Sequence, residues 1–137
     1  MRNKTYLLVT LVLVLTLMLA ACGGGGEEPS TGTGGGDAKA DEALYAQTVI
    51  GSQPGCITCH SIEDGVVIVG PSMAGIAVRG ATAVDGQTAA EYIEAAILTP
   101  DDYLVEGFAA GTMPQVWGDE LTDQQVKDLV AYLETLK

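Results

Sequence analysis

Three stretches of the chain carry apolar side chains at three-four spacing, the period of a helix with one buried face. In the first, Asp41 to about Ile50, Leu44, Tyr45, Thr48 and Val49 share a face, and the two acids at its start suit the positive end of a helix dipole. The second opens with Thr88-Ala-Ala-Glu91, a pattern in which two side chains satisfy the free amide donors of a helix start. Ile93, Ala96 and Ile97 form its stripe, and Pro100 ends it. The third repeats the device as Thr122-Asp-Gln-Gln125 and continues as Val126, Leu129, Val130, Leu133 and Leu136, the most regular stripe in the chain. The segments between are rich in Gly and Pro. Val66 to Val69 is apolar but too short to read securely as a strand. The pattern predicts an all-α domain over residues 41–137, with three main helices joined by long loops.

The start of the chain follows another rule. Arg2 and Lys4 precede an uncharged run from Tyr6 to Ala21, which ends in Leu19-Ala20-Ala21-Cys22. A basic start, an apolar middle and small residues before a cut describe an export signal. The last four residues also look like the lipobox of bacterial lipoproteins, whose cysteine is acylated. Residues 1–21 are therefore read as a lipoprotein signal peptide and Cys22 as the lipidation site. A retained signal anchor competes, although the run is shorter than the roughly 20 residues that span a bilayer. A plain secretory signal with Cys22 left free is a further alternative. Gly23 to Ala40 has no apolar period, so 22–40 reads as a lipidated cysteine and flexible tether, with a reach of roughly 20–25 Å. The domain is expected to be exported and lipid-anchored at the outer face of the cytoplasmic membrane.

Charge narrows the partners. The whole chain has a net charge of −12. Cleavage would remove Arg2 and Lys4, leaving four Lys/Arg against the 18 Asp/Glu, a net of −14. Such a surface repels phosphate backbones, which argues against nucleic acid, and is drawn to a basic docking patch on a protein.

The most specific chemistry lies in Cys56-Ile-Thr-Cys59-His60. Two thiols three residues apart can each add to one vinyl group of haem, and the adjoining imidazole then serves as the proximal iron ligand. A dithiol redox motif normally follows a strand in a βαβ unit, and none precedes this one. A zinc site needs four ligands, yet the chain has one histidine and its third cysteine lies at position 22. A Cys56–Cys59 disulfide leaves His60 without a role. One covalent haem c is the reading that uses all three residues.

With a single histidine, a second imidazole ligand from the same chain is ruled out. Past the export signal, two methionines remain, Met73 and Met113. Met113 precedes Pro114 and follows the open Ala109-Ala-Gly-Thr112 segment, which could hang a thioether over the far haem face. Met73 lies in Gly70-Pro71-Ser-Met73-Ala-Gly75, close after His60, and reads as proximal core packing. Lysine or an open position is the remaining alternative.

These motifs resemble class I cytochrome c domains, particularly those fused to or associated with bacterial haem–copper oxidases. The resemblance covers nearly all of 41–137 through the Cys-x-x-Cys-His, the Gly-Pro segment at 70–75, Met113-Pro114 and the final helix. It implies the class I fold, a Pro71 carbonyl facing the His60 imidazole, Arg79 near a haem propionate, and Tyr103, Phe108 and Trp117 as pocket walls. Two departures stand out. The family's helix-contact glycine corresponds here to Asp41, which leaves the partner of Tyr132 open, and the Gly51-Ser-Gln-Pro54-Gly55 approach to the haem is longer than usual.

The expected role is single-electron transfer in a respiratory or photosynthetic chain, from a quinol-oxidising complex to a terminal oxidase or similar acceptor. The chain would act as a mobile carrier or as a small subunit of an oxidoreductase complex. The competing class is a haem enzyme or ligand sensor with an open axial site.

Overall fold

Helix α1 spans Ala38–Tyr45, earlier at both ends than the periodicity predicts. Val49–Ile50 forms strand β1 instead, paired antiparallel with β2, Gln53–Pro54, across a Gly51-Ser52 turn. Thr48, Val49 and Ile50 are all β-branched, which weakens a helix end and suits an extended pair. Leu44 and Tyr45 are buried, whereas Thr48 and Val49 are exposed and Ile50 takes the inward position. The computed structural model describes residues 38–137. The signal peptide, Cys22 and nearly all of the tether read from the sequence lie outside the described residues.

The remaining helices are α2 (Cys56–Cys59), α3 (Ile76–Ala83), α4 (Ala89–Leu98), α5 (Trp117–Glu120) and α6 (Asp123–Leu133). Both capping boxes form as read. The Glu91 amide donates to Thr88 Oγ1 at 3.2 Å while the Thr88 amide donates to the Glu91 carboxylate at 2.8 Å. Gln125 and Thr122 exchange the same bonds at 3.2 and 2.9 Å. Each cap contributes about 1 kcal/mol to its helix.

Helix α3 was not apparent from periodicity, because only Ile76 and Gly80 along it are buried. It packs on α4 through a glycine contact: a Cβ on Gly80 would sit 2.7 Å from the Tyr92 ring. Helices α1 and α4 both pack on α6. The Tyr132 ring lies 5.4 Å from that of Tyr45, tilted by 48°, so Tyr45 is the partner that the sequence left open. The architecture is all-α: the three expected helices form the frame, and α3 with the two single-turn helices fills the loops between them. Leu129, at the centre of α6, is 1 % exposed, and it is the one large side chain below 2 % among the described residues. Among the described residues no helix is long and apolar enough to cross a membrane.

Candidate functional site

Gly55 starts the single turn α2, and the His60 amide closes it on the Cys56 carbonyl at 2.9 Å. The Thr58 hydroxyl tightens the turn by donating to the Gly55 carbonyl at 2.6 Å. This local geometry puts Cys56, Cys59 and His60 on the wall of one cavity of about 330 Å³. Both thiols are free and partly buried. Before attachment, burial pushes the Cys56 thiol up to about 11.

Nδ1 of His60 lies 2.8 Å from the Pro71 carbonyl oxygen. A carbonyl only accepts, so the proton sits on Nδ1 and the free lone pair on Nε2. Burial lowers the pKa of His60, with the Pro71 bond opposing in part, which favours the neutral ring. Gly70 makes room for this ring: a Cβ there would come within 2.3 Å of its Cε1. The amides of Val69 and Gly70 both donate to the Cys59 carbonyl, at 3.1 and 2.9 Å. From the other side, the Tyr45 hydroxyl donates to the His60 carbonyl at 2.9 Å.

Met113, with Thr112 and Pro114, reaches the same cavity from the loop after α4. The Asp101 carboxylate holds that loop by accepting the Gly111 amide at 2.9 and 3.1 Å, two residues before Met113. Met73 also lines the cavity. Its amide donates to the Ser61 carbonyl at 2.7 Å, which ties it to the segment next to His60. Arg79 stands at the cavity wall, exposed, with its guanidinium donating to the carbonyls of Ser72, at 2.7 Å, and Ala74. Tyr103, Phe108 and Trp117 line the cavity as well. Tyr103 packs edge-on against Tyr92 at 5.5 Å. Trp117 is buried, and its Nε1 is the buried side-chain polar atom without a partner among the described residues. An unmet donor of this kind costs about 1–3 kcal/mol, which an occupant bearing an acceptor at that wall would relieve.

Three contributors went unassigned in the sequence. Tyr45 reads there only as core, since nothing local distinguishes a Tyr whose hydroxyl is used from one whose ring alone is used. Gly70 belongs to a motif already singled out, and its small size next to Pro71 was the available signal. Asp101 follows Pro100 in an acidic pair whose bond to Gly111 depends on the path of the loop.

A family model described as Cytochrome c matches residues 38–137, the whole of the described domain. No curated protein and no solved structure gave a significant match. The chain belongs to the cytochrome c family. It is a haem c electron-transfer protein.

The residues present fit haem c. Free thiols sit at the two positions that thioether attachment needs, and the imidazole already has its Nδ1 proton engaged, leaving Nε2 for a metal. Between them and Met113 the walls are apolar, including Ile93, Ile97, Leu129 and Phe108.

Proposed function

We propose that the protein is a membrane-tethered, mono-haem electron carrier, held through Cys22 at the outer face of the cytoplasmic membrane. Cys56 and Cys59 would hold the haem, and His60 and Met113 would ligate its iron. Bound haem supplies a one-electron ferric/ferrous couple. The chain's own residues set its surroundings: Pro71 orients the His60 ring, Asp101 steadies the loop that carries Met113, and Arg79 stands where a propionate would need a cation. With both His60 and Met113 on the iron there would be no position left for substrate, which supports transfer over catalysis. The presence of His60 and Met113 around one cavity, each on a hydrogen-bonded segment, carries this reading.

The similarity to cytochrome c domains associated with haem–copper oxidases suggests a quinol-oxidising complex as donor and a terminal oxidase or similar acceptor. The chain would serve as a mobile carrier or as a small subunit of one of these complexes. Met113→Ala abolishes the weak far-red sulfur-to-iron band of the ferric protein and opens the ferrous protein to carbon monoxide, while Met73→Ala leaves the band in place. If Met73→Ala removes the band, the ligand assignment is wrong. A wild type that lacks the band and binds carbon monoxide readily is instead an enzyme or sensor.

A further inference from the structure

The loop that follows His60 turns its aliphatic side chains outward. Val67 and Ile68 are 61 % and 52 % exposed, and Ile62, Val66 and Val69 are exposed as well. The loop is not loose. Val69 is bonded to the Cys59 carbonyl, Val67 bridges to His60, and the Ser72 hydroxyl donates to the Glu63 carbonyl at 2.7 Å. These bonds fix the backbone of the loop at both ends of the strip. Of the five, Val69 alone lines the cavity. Contiguous exposed aliphatics are unfavourable in water unless something covers them.

We infer that the strip from Ile62 to Val69 is the centre of the docking surface for a redox protein whose own face is apolar and rimmed by Lys or Arg. The inference rests on the electron-carrier reading and names its partner chemistry. Continuity with the haem site is one support, since Val69 belongs to both the strip and the cavity wall. Charge is the other. Glu63 and Asp64 are exposed at the strip's near end on a strongly acidic chain, which favours a cationic rim and disfavours both anionic lipid and a second copy of this chain. Docking of this form depends less on salt than an acidic ring alone would make it, because the aliphatic contact is not screened.

The test uses the full-length ferrous holoprotein and native membranes from a strain lacking this chain. Val67→Ser with Ile68→Ser lowers the rate of its oxidation by these membranes about fivefold to tenfold at both low and high salt. Oxidation by hexacyanoferrate, which needs no docking surface, is unchanged. Glu63→Gln with Asp64→Asn flattens the salt dependence and retains the rate at high salt. Amide exchange over residues 62–69 slows when the same membranes are added to the wild type. An unchanged rate in the serine variant overturns the inference, as does equal exchange protection by protein-free vesicles of the same lipids. A change in sedimentation between the wild type and the serine variant would identify a second copy as the occupant, and would overturn it too. If the wild type itself passes no electrons to the membranes, the carrier reading falls instead.

Discussion

His60 is held at three points, two from the adjacent Gly70 and Pro71 and the third from Tyr45. Pro71 takes its Nδ1 proton, Gly70 leaves room for its ring, and Tyr45 donates to its backbone carbonyl. The last contact links His60 to the α1–α6 crossing, because the Tyr45 ring packs on Tyr132. Burial raises the pKa of Tyr45 well above that of a free phenol, so its hydroxyl remains a donor across the working pH range. Tyr45→Phe keeps the ring and removes the bond. It should lower the unfolding free energy of the holoprotein by about 1 kcal/mol in denaturant titrations. Tyr132→Phe keeps the ring that packs on Tyr45 and leaves the Tyr45–His60 bond in place, so it should change stability less. Equal losses in both variants would show that the His60 bond has no particular weight.

At the scale of elements, the two capping boxes show where local chemistry alone builds structure. Glu91 is exposed, and its pKa is lowered chiefly by the bond from the Thr88 amide, then by the Thr88 side chain. A carboxyl whose pKa is depressed on folding contributes stability above its unfolded value, and that contribution is lost as pH falls through the folded value. Helix α4 should therefore loosen at its start only in acid, below the ordinary carboxylate range. Glu91→Gln should give a melting temperature with a shallower fall on acidification than the wild type. Identical acid profiles would mean that the cap does not titrate. These boxes were legible because Thr88 and Glu91, like Thr122 and Gln125, meet within one turn of chain. Helix α1 was placed less well. A stripe counts apolar side chains, and it cannot tell a β-branched run that continues a helix from one that leaves it for a hairpin.

For the whole molecule, the core is thin around the cavity. Its members from α1, α4 and α6 meet each other at the helix crossings, but Ile93, Ile97, Leu129 and Leu133 also face the cavity that takes the haem. A covalent apolar group there completes the packing that a domain of this size otherwise lacks. The protein stripped of haem by cleavage of its thioethers should retain part of its helical signal and lose the cooperative heat-absorption peak of the holoprotein. A haem-free chain that melts cooperatively at the same temperature would show that the helices are self-sufficient.

Sequence alone determined the features whose chemistry is local: the two capped helices, and the Cys-x-x-Cys-His turn, in which five residues bring both thiols and the imidazole together. The Gly-Pro motif and Met113 were legible as pattern, but what they touch was not. Tertiary structure decided which hydroxyl reaches the His60 carbonyl, that Asp101 clasps the Met113 loop, that Gly80 admits Tyr92, and that the aliphatic strip after His60 faces outward. Each of these depends on segments distant in the chain arriving at the same place. A linear pattern records which side chains are apolar, and only packing decides which of them find a partner.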